Sequence, residues 1–237
     1  MTTAAGEPLG VYGKLPARGD FVARRLRRSF IDAWDEWLQD ALLASQAALG
    51  DQWLDLYLIS PVWRFALGAG CCGPATVCGV MMPSVDSVGR YFPLVLAREI
   101  AIATELSALI AGSTDWYQTV VTSALATLEP DFRMDALEEP LTVELAVPSA
   151  DPAAAKPLSP PGRHLPLDPA IGLAELCQAI GPLPQLRTIW WTSGSERVRP
   201  CLAIAPGLPS PTAFASLLDD GWEERGWVVE PEAEIPA

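Results

Sequence analysis

The clearest periodic signal in the chain is SFIDAWDEWLQDALLASQAALG, where Phe30, Ile31, Trp34, Trp37, Leu38, Ala41 and Leu42 recur at the spacing of one helix face. The spacing predicts an amphipathic helix with Ser29 and Asp32 as its N-terminal cap pair and Gly50 as its stop. LGVYGKL, before it, is a short apolar run ending in turn residues and reads as a first strand. DQWLDLYL, after it, predicts a short helix ending at Ser60-Pro61. VWRFAL, ATVCGVMMPSV and RYFPLVLAREI are rich in β-branched and aromatic residues and punctuated by Gly and Pro, which predicts three strands. Their near-continuous apolar character predicts a sheet covered on both faces.

A helical pattern runs from about Glu105 to Leu128, aligns Trp116, Tyr117, Val120, Val121, Ala124, Leu125 and Leu128, and is interruptible at Gly112. LTVELAV reads as another strand. The composition then shifts: PSADPAAAKPLSPPGRHLPLDP holds seven prolines and predicts a surface loop over about 147–169. Beyond it, Asp168-Pro169 opens a helix to about Ile180, LRTIWWTS and CLAIAPG read as paired strands, and Ser210-Pro211 opens a helix to Leu218. Adjacent Trp190 and Trp191 on a strand face opposite ways, one packing inward and the other against a covering helix. The roughly 70 residues after the loop are marginal for an independent core. The expectation is therefore one domain over residues 1–237, an α/β fold with a three-layer α/β/α sandwich around a mixed, partly antiparallel central sheet.

Half of the 237 residues are hydrophobic, enough for a substantial core, and the formal charge is -13 with a pI near 4.4. That balance argues against a nucleic-acid binder or a protein of anionic membrane surfaces. The basic residues are segregated: Lys14, Arg18, Arg24, Arg25, Arg27 and Arg28 face only Asp20 within residues 14–28, whereas an acidic tail begins at about residue 219. RRLRR within the basic stretch could meet an acidic partner, a phosphorylated loop or that tail. The best candidate membrane span, YLISPVWRFALGAGCC, is broken by Pro61 and Arg64, and no direct membrane insertion is expected. Five cysteines, an odd number, read as a reduced set, so the expected location is cytoplasmic.

GAGCCG has literal G-x-G-x-x-G spacing, but it leads into Pro74 and a strand where a phosphate loop needs a helix, so it reads as a hairpin turn. The cysteines form no C-x-x-C pair and read as small buried hydrophobes. The one histidine, His164, falls in the proline-rich segment and cannot support a Cys-His or Ser-His-Asp arrangement there. Carboxylates offer one catalytic alternative, a metal-dependent phosphatase-like hydrolase using Asp86, between two strands, with Asp20.

Two stretches are dense in turn and charged residues. In GKLPARGDF, Pro16 and Gly19 bend the chain, Asp20 can bond backbone within the bend, and Lys14 and Arg18 can face outward. PSVDSVGRYFPL reads either as a hairpin whose Asp86 and Arg90 bond backbone or each other, or as one wall of a basic concavity joining Lys14, Arg18, Arg64 and Arg90. The expected partner-binding set is Lys14, Arg18, Asp20, Arg64, Asp86 and Arg90, with no catalytic, cofactor or metal residue assigned.

The blocks YGKLPARGDFV, FIDAWDEWL, PVWRFAL, GVMMPSVDSVGRYFPLVLA and IWWTSGSERVRPCLAIAPGLPSPTAFASLL, in this order, resemble the TagF family, also called ImpM, of type VI secretion-associated proteins. The resemblance implies an α/β layered sandwich and a bacterial cytoplasmic accessory protein that restrains type VI secretion after translation. It further implies a forkhead-associated scaffold protein of the apparatus as partner, and no established catalytic residues or cofactor.

Overall fold

Strands that are apolar at consecutive positions need cover on both sides, and a nine-stranded sheet meets that demand here. The computed structural model describes residues 2–4, 8–101, 104–148, 162–167, 173, 177, 180 and 187–231. The described strands are β1 (Thr2–Ala4), β2 (Gly10–Gly13), β3 (Val22–Arg24), β4 (Trp63–Leu67), β5 (Thr76–Met82), β6 (Leu94–Ile100), β7 (Leu145–Val147), β8 (Arg163–Pro166), β9 (Arg187–Thr192), β10 (Cys201–Pro206) and β11 (Val228–Val229). The large sheet runs β11-β8-β10-β9-β4-β5-β6-β2-β3, and β1 pairs with β7 in a separate two-stranded sheet. Among the described residues only the edge pair β11-β8 is parallel; the other pairs are antiparallel, which makes the sheet mixed.

Successive strand residues divide between two apolar clusters, as the period of two requires. One cluster joins Trp63, Phe65, Leu67, Val77, Val95 and Trp190 to helices α1 (Arg28–Leu49), α2 (Trp53–Leu58) and α5 (Ser216–Asp219). The other joins Ala66, Cys78, Val80, Leu96, Ile189 and Trp191 to helices α3 (Leu106–Ala111) and α4 (Thr114–Ala126). The neighbouring tryptophans show the split directly. Trp190 packs against Trp34, Trp37 and Phe65 at centroid distances of 6.0, 5.6 and 5.3 Å, while Trp191 meets Tyr117 of α4 edge-on at 4.5 Å.

The helix α1 ends at Gly50 as its sequence implies, but it starts earlier than its expected cap and no side chain caps it locally. Instead Glu99 of β6 accepts the Arg27 amide at 2.5 Å, and Arg28 bridges Asp32 one turn on at 2.7 Å. The initiating partner is tertiary, which places Ser29 inside the helix. The helical region after residue 105 divides at Gly112, with Glu105 accepting the amides of Ser107 and Ala108 as the cap of α3. Of the helix expected over 168–180, only Leu173, Cys177 and Ile180 are described, and all three are helical.

The two segments expected to lie at the periphery enter the sheet. Residues 149–161 lie outside the described residues, but β8 follows within the proline-rich stretch and pairs with β10, burying Leu165 and His164 on opposite faces. In the acidic stretch from Asp219, Arg225 pairs with Asp219 and Arg199 with Asp220, both at 2.6 Å, and β11 extends the sheet edge.

His164 is 2% exposed, stacks on Trp222 at 4.2 Å, and neither ring nitrogen has a hydrogen-bond partner among the described residues. Burial lowers its pKa to about 4, with Asp220 opposing that shift and Arg199 reinforcing it. The unfolded chain, with an ordinary histidine pKa near 6.5, therefore binds this proton first, and stability falls as pH drops from about 6.5 to about 4. The substitution His164→Phe keeps the stacked ring and removes the titration. Urea unfolding followed by tryptophan fluorescence is expected to show a smaller loss between pH 7 and pH 5 in the variant. An equal loss in both proteins contradicts a neutral buried His164.

Candidate functional site

Gly13 ends β2 at φ +124°, a conformation that side chains rarely adopt, and a Cβ there would lie 2.1 Å from the Pro93 carbonyl oxygen. This close approach brings the loop 13–21 against the hairpin 83–93. The antiparallel register of β2 with β6, which sets Tyr12 opposite Val95, dictates the encounter, because the end of one strand lies beside the start of the other.

Asp86 is at the centre of the contact, its side chain fully removed from solvent. It receives Lys14 Nζ at 2.9 Å, Arg90 Nε at 2.7 Å, and the backbone amides of Val88 and Arg90 at 3.1 and 2.9 Å. Burial alone would raise its pKa, but the Arg90 amide, the Lys14 ammonium, the Arg90 guanidinium and the Val88 amide hold it well below the usual carboxylate range. Arg90 extends the tie, donating from Nη2 to the Gly19 carbonyl at 2.5 Å, and Ser87 donates its amide to the Arg18 carbonyl at 2.9 Å. Ser84 Oγ donates to the Lys14 carbonyl at 2.8 Å, and the Tyr57 hydroxyl donates to the Ser84 carbonyl at 2.9 Å. Phe21 packs edge-on against Phe92 at 4.8 Å, and the Lys14 ammonium sits 5.2 Å from the Phe21 ring centroid.

The structure thus joins Lys14, Asp86 and Arg90, and it corrects their expected presentation. Lys14 is 4% exposed and turned inward, so it is not an outward-facing cation. Asp86 is engaged by cations and amides and is not poised for a metal; among the described residues no group of three or more His, Cys, Asp or Glu could hold one. Arg18 and Asp20 are exposed on the rim, where Asp20 Oδ1 accepts the Phe21 amide at 2.8 Å. Arg64 does not join them: it projects from β4 toward α4, lining a different cavity with Tyr117 and Trp191. Sequence reasoning missed the apolar side chains displayed by the two loops, Phe21, Val88 and Tyr91, which are 43%, 67% and 37% exposed. Their signal was present as large apolar residues inside turn-rich segments.

The arginines of RRLRR are also occupied. Arg24 pairs with Glu138, Arg25 donates to the carbonyls of Leu9 and Leu137 at 2.6 and 2.8 Å, and Arg27 faces Glu99 at 3.5 Å. The glycine-rich GAGCCG turn connects antiparallel β4 and β5, with the Gly70 amide donating to the Gly73 carbonyl at 2.7 Å. Cys72, Cys78, Cys177 and Cys201 are buried; burial pushes Cys72 and Cys78 up to about 12, which keeps them as thiols.

A sequence model of the TagF N-terminal domain, described as type VI secretion system-associated, matches residues 10–143. Among solved structures, the crystal structure of PA0076 from Pseudomonas aeruginosa PAO1 at 2.05 Å resolution is similar, with 38% sequence identity and a TM-score of 0.72. The match covers 96% of this chain and 100% of that one. No curated protein matches the chain.

Asp86→Asn is expected to lower the thermal midpoint by several degrees, since it leaves the buried Lys14 ammonium without its counter-charge. The double variant Lys14→Met, Asp86→Asn is expected to recover part of that loss. Because the folded pKa of Asp86 is depressed, its contribution is present above the unfolded carboxylate pKa, near 3.9, and is lost as pH falls below it. A single variant as stable as wild type at pH 7 contradicts this account. Gly13→Ala is expected to cost about 1–3 kcal/mol in urea unfolding through the forced shift of the Pro93 backbone. Unchanged stability contradicts the close approach.

Proposed function

Because this chain belongs to the TagF family of type VI secretion system-associated proteins, we propose that it is a non-enzymatic accessory protein that represses type VI secretion after translation. It does so by binding a cytoplasmic component of the apparatus, the forkhead-associated scaffold protein. The observation that carries the docking part is the pinned loop pair, with exposed Phe21, Val88 and Tyr91 beside Arg18 and the Arg90 rim. Aromatic and arginine side chains on a preorganised support make good anchors, because little conformational freedom remains to be lost on binding.

Several observations support the rest of the reading. A hydrolase using Asp20 and Asp86 would need Asp86 to leave Lys14 and Arg90, whose bonds also hold the loops together. The two apolar clusters with their separate helices support a three-layer α/β/α sandwich. Among the described residues no helix is long and apolar enough to cross a membrane.

A pull-down with the forkhead-associated scaffold tests the docking surface. Val88→Asp and Arg18→Glu are both exposed and are expected to weaken capture at least tenfold with little change in thermal midpoint. Unchanged capture by both folded variants overturns this docking surface. In a bacterium that carries the system, deleting the gene is expected to raise secretion without altering the levels of apparatus proteins; unchanged secretion overturns repression.

A further inference from the structure

Arg64 stands apart from the loop pair and has a different electrostatic situation from most arginines of the chain. Arg28, Arg90, Arg199 and Arg225 each have a carboxylate within 2.7 Å. Arg64, half-buried on the interior strand β4, has two long hydrogen bonds among the described residues, both to neutral groups, Ser193 Oγ at 3.3 Å and Gln118 Oε1 at 3.4 Å. No carboxylate reaches it among the described residues. A partly desolvated guanidinium without a counter-charge is costly where an aliphatic residue would be free of that cost.

The guanidinium lines a cavity of about 440 Å³, of the size that holds small organic ligands. Tyr117, Trp191, Leu167, Leu173 and Pro200 supply its apolar lining, and Arg64 is the one charged residue among the described lining. The two rings are fixed: Tyr117 donates its hydroxyl to the Phe65 carbonyl at 3.0 Å and meets Trp191 edge-on. The Arg64 cation therefore sits in a preformed, largely apolar recess.

We propose that this cavity binds a small organic carboxylate with an aromatic or branched apolar body, its carboxylate paired with Arg64 and its body against Tyr117 and Trp191. The planar fork of Arg64 suits two parallel hydrogen bonds to a carboxylate, and the long contacts to Ser193 and Gln118 leave its donors open to stronger acceptors. Burial also lowers the Arg64 pKa from its usual value, with Tyr117 opposing that shift. The inference does not rest on the docking surface, which shares none of these residues.

Isothermal titration calorimetry with 4-phenylbutyrate and its uncharged analogue 4-phenylbutanol tests it. Wild type is expected to bind the carboxylate saturably and roughly 10- to 100-fold more tightly than the alcohol, the range of a charge-assisted pair. Arg64→Met, which retains the apolar stem, is expected to abolish that preference, and Arg64→Lys to restore part of it. Indole N–H shifts in a nuclear magnetic resonance spectrum of the full chain are expected to place the ring against Trp191. No saturable binding of the carboxylate at millimolar concentration, no preference over the alcohol, or a preference that survives Arg64→Met overturns the proposal.

Discussion

A carboxylate withdrawn from water destabilises a fold unless its lone pairs are engaged, and Asp86 satisfies that condition by recruiting groups from two separate parts of the chain. Lys14 comes from the loop after β2, and Arg90 and the amides of Val88 and Arg90 come from its own hairpin. Sheet order makes this possible, since antiparallel β2 and β6 bring Gly13 and Leu94 to the same end. The tie then fixes the backbone at Arg18 and Gly19 and the ring of Phe21, so the exposed side chains stand on a rigid base. A stretch dense in charge thus spends its central charges inward and presents its apolar residues outward.

The same economy holds elsewhere in the molecule. The basic strip is bonded to Glu138, Glu99 and backbone carbonyls, and the acidic stretch is bonded to Arg225, Arg199 and Arg163. Opposite charges segregated in sequence are therefore largely satisfied close to where they lie in the fold. Arg64 departs from this pattern. Alternation along β4 sends Phe65 to the aromatic cluster under α1 and Arg64 to the face under α4, where neutral groups are its only contacts among the described residues.

Elements with long or strongly apolar patterns were legible in the sequence. The amphipathic face of α1, the two-sided burial of β4, β5 and β6, the break at Gly112, the paired β9 and β10 and the opposed tryptophans all follow from local periodicity. Features decided by distant partners were not. Ser29 has the right chemistry for a cap, but Glu99 from β6 starts the helix earlier. The strand β8 is four residues inside a proline-rich stretch and exists because β10 and β11 flank it. For the candidate site, the sequence marked both loops and named Lys14, Asp86 and Arg90, yet their inward pairing depends on a strand order that charge patterning does not encode. Arg64 was grouped with them by charge alone, and geometry separates it.

The central claim is that the buried Asp86 carboxylate makes the two loops one preorganised unit. Amide hydrogen exchange of the full chain, read at Val88 and Arg90, whose N–H groups bond Asp86, and at Ser87, whose N–H bonds Arg18, addresses it directly. The account predicts that these amides are strongly protected in the wild type and that Asp86→Asn lowers their protection while amides of β4 and β5 keep theirs. Fast exchange of all three in the wild type, or protection undiminished in the variant, would contradict it.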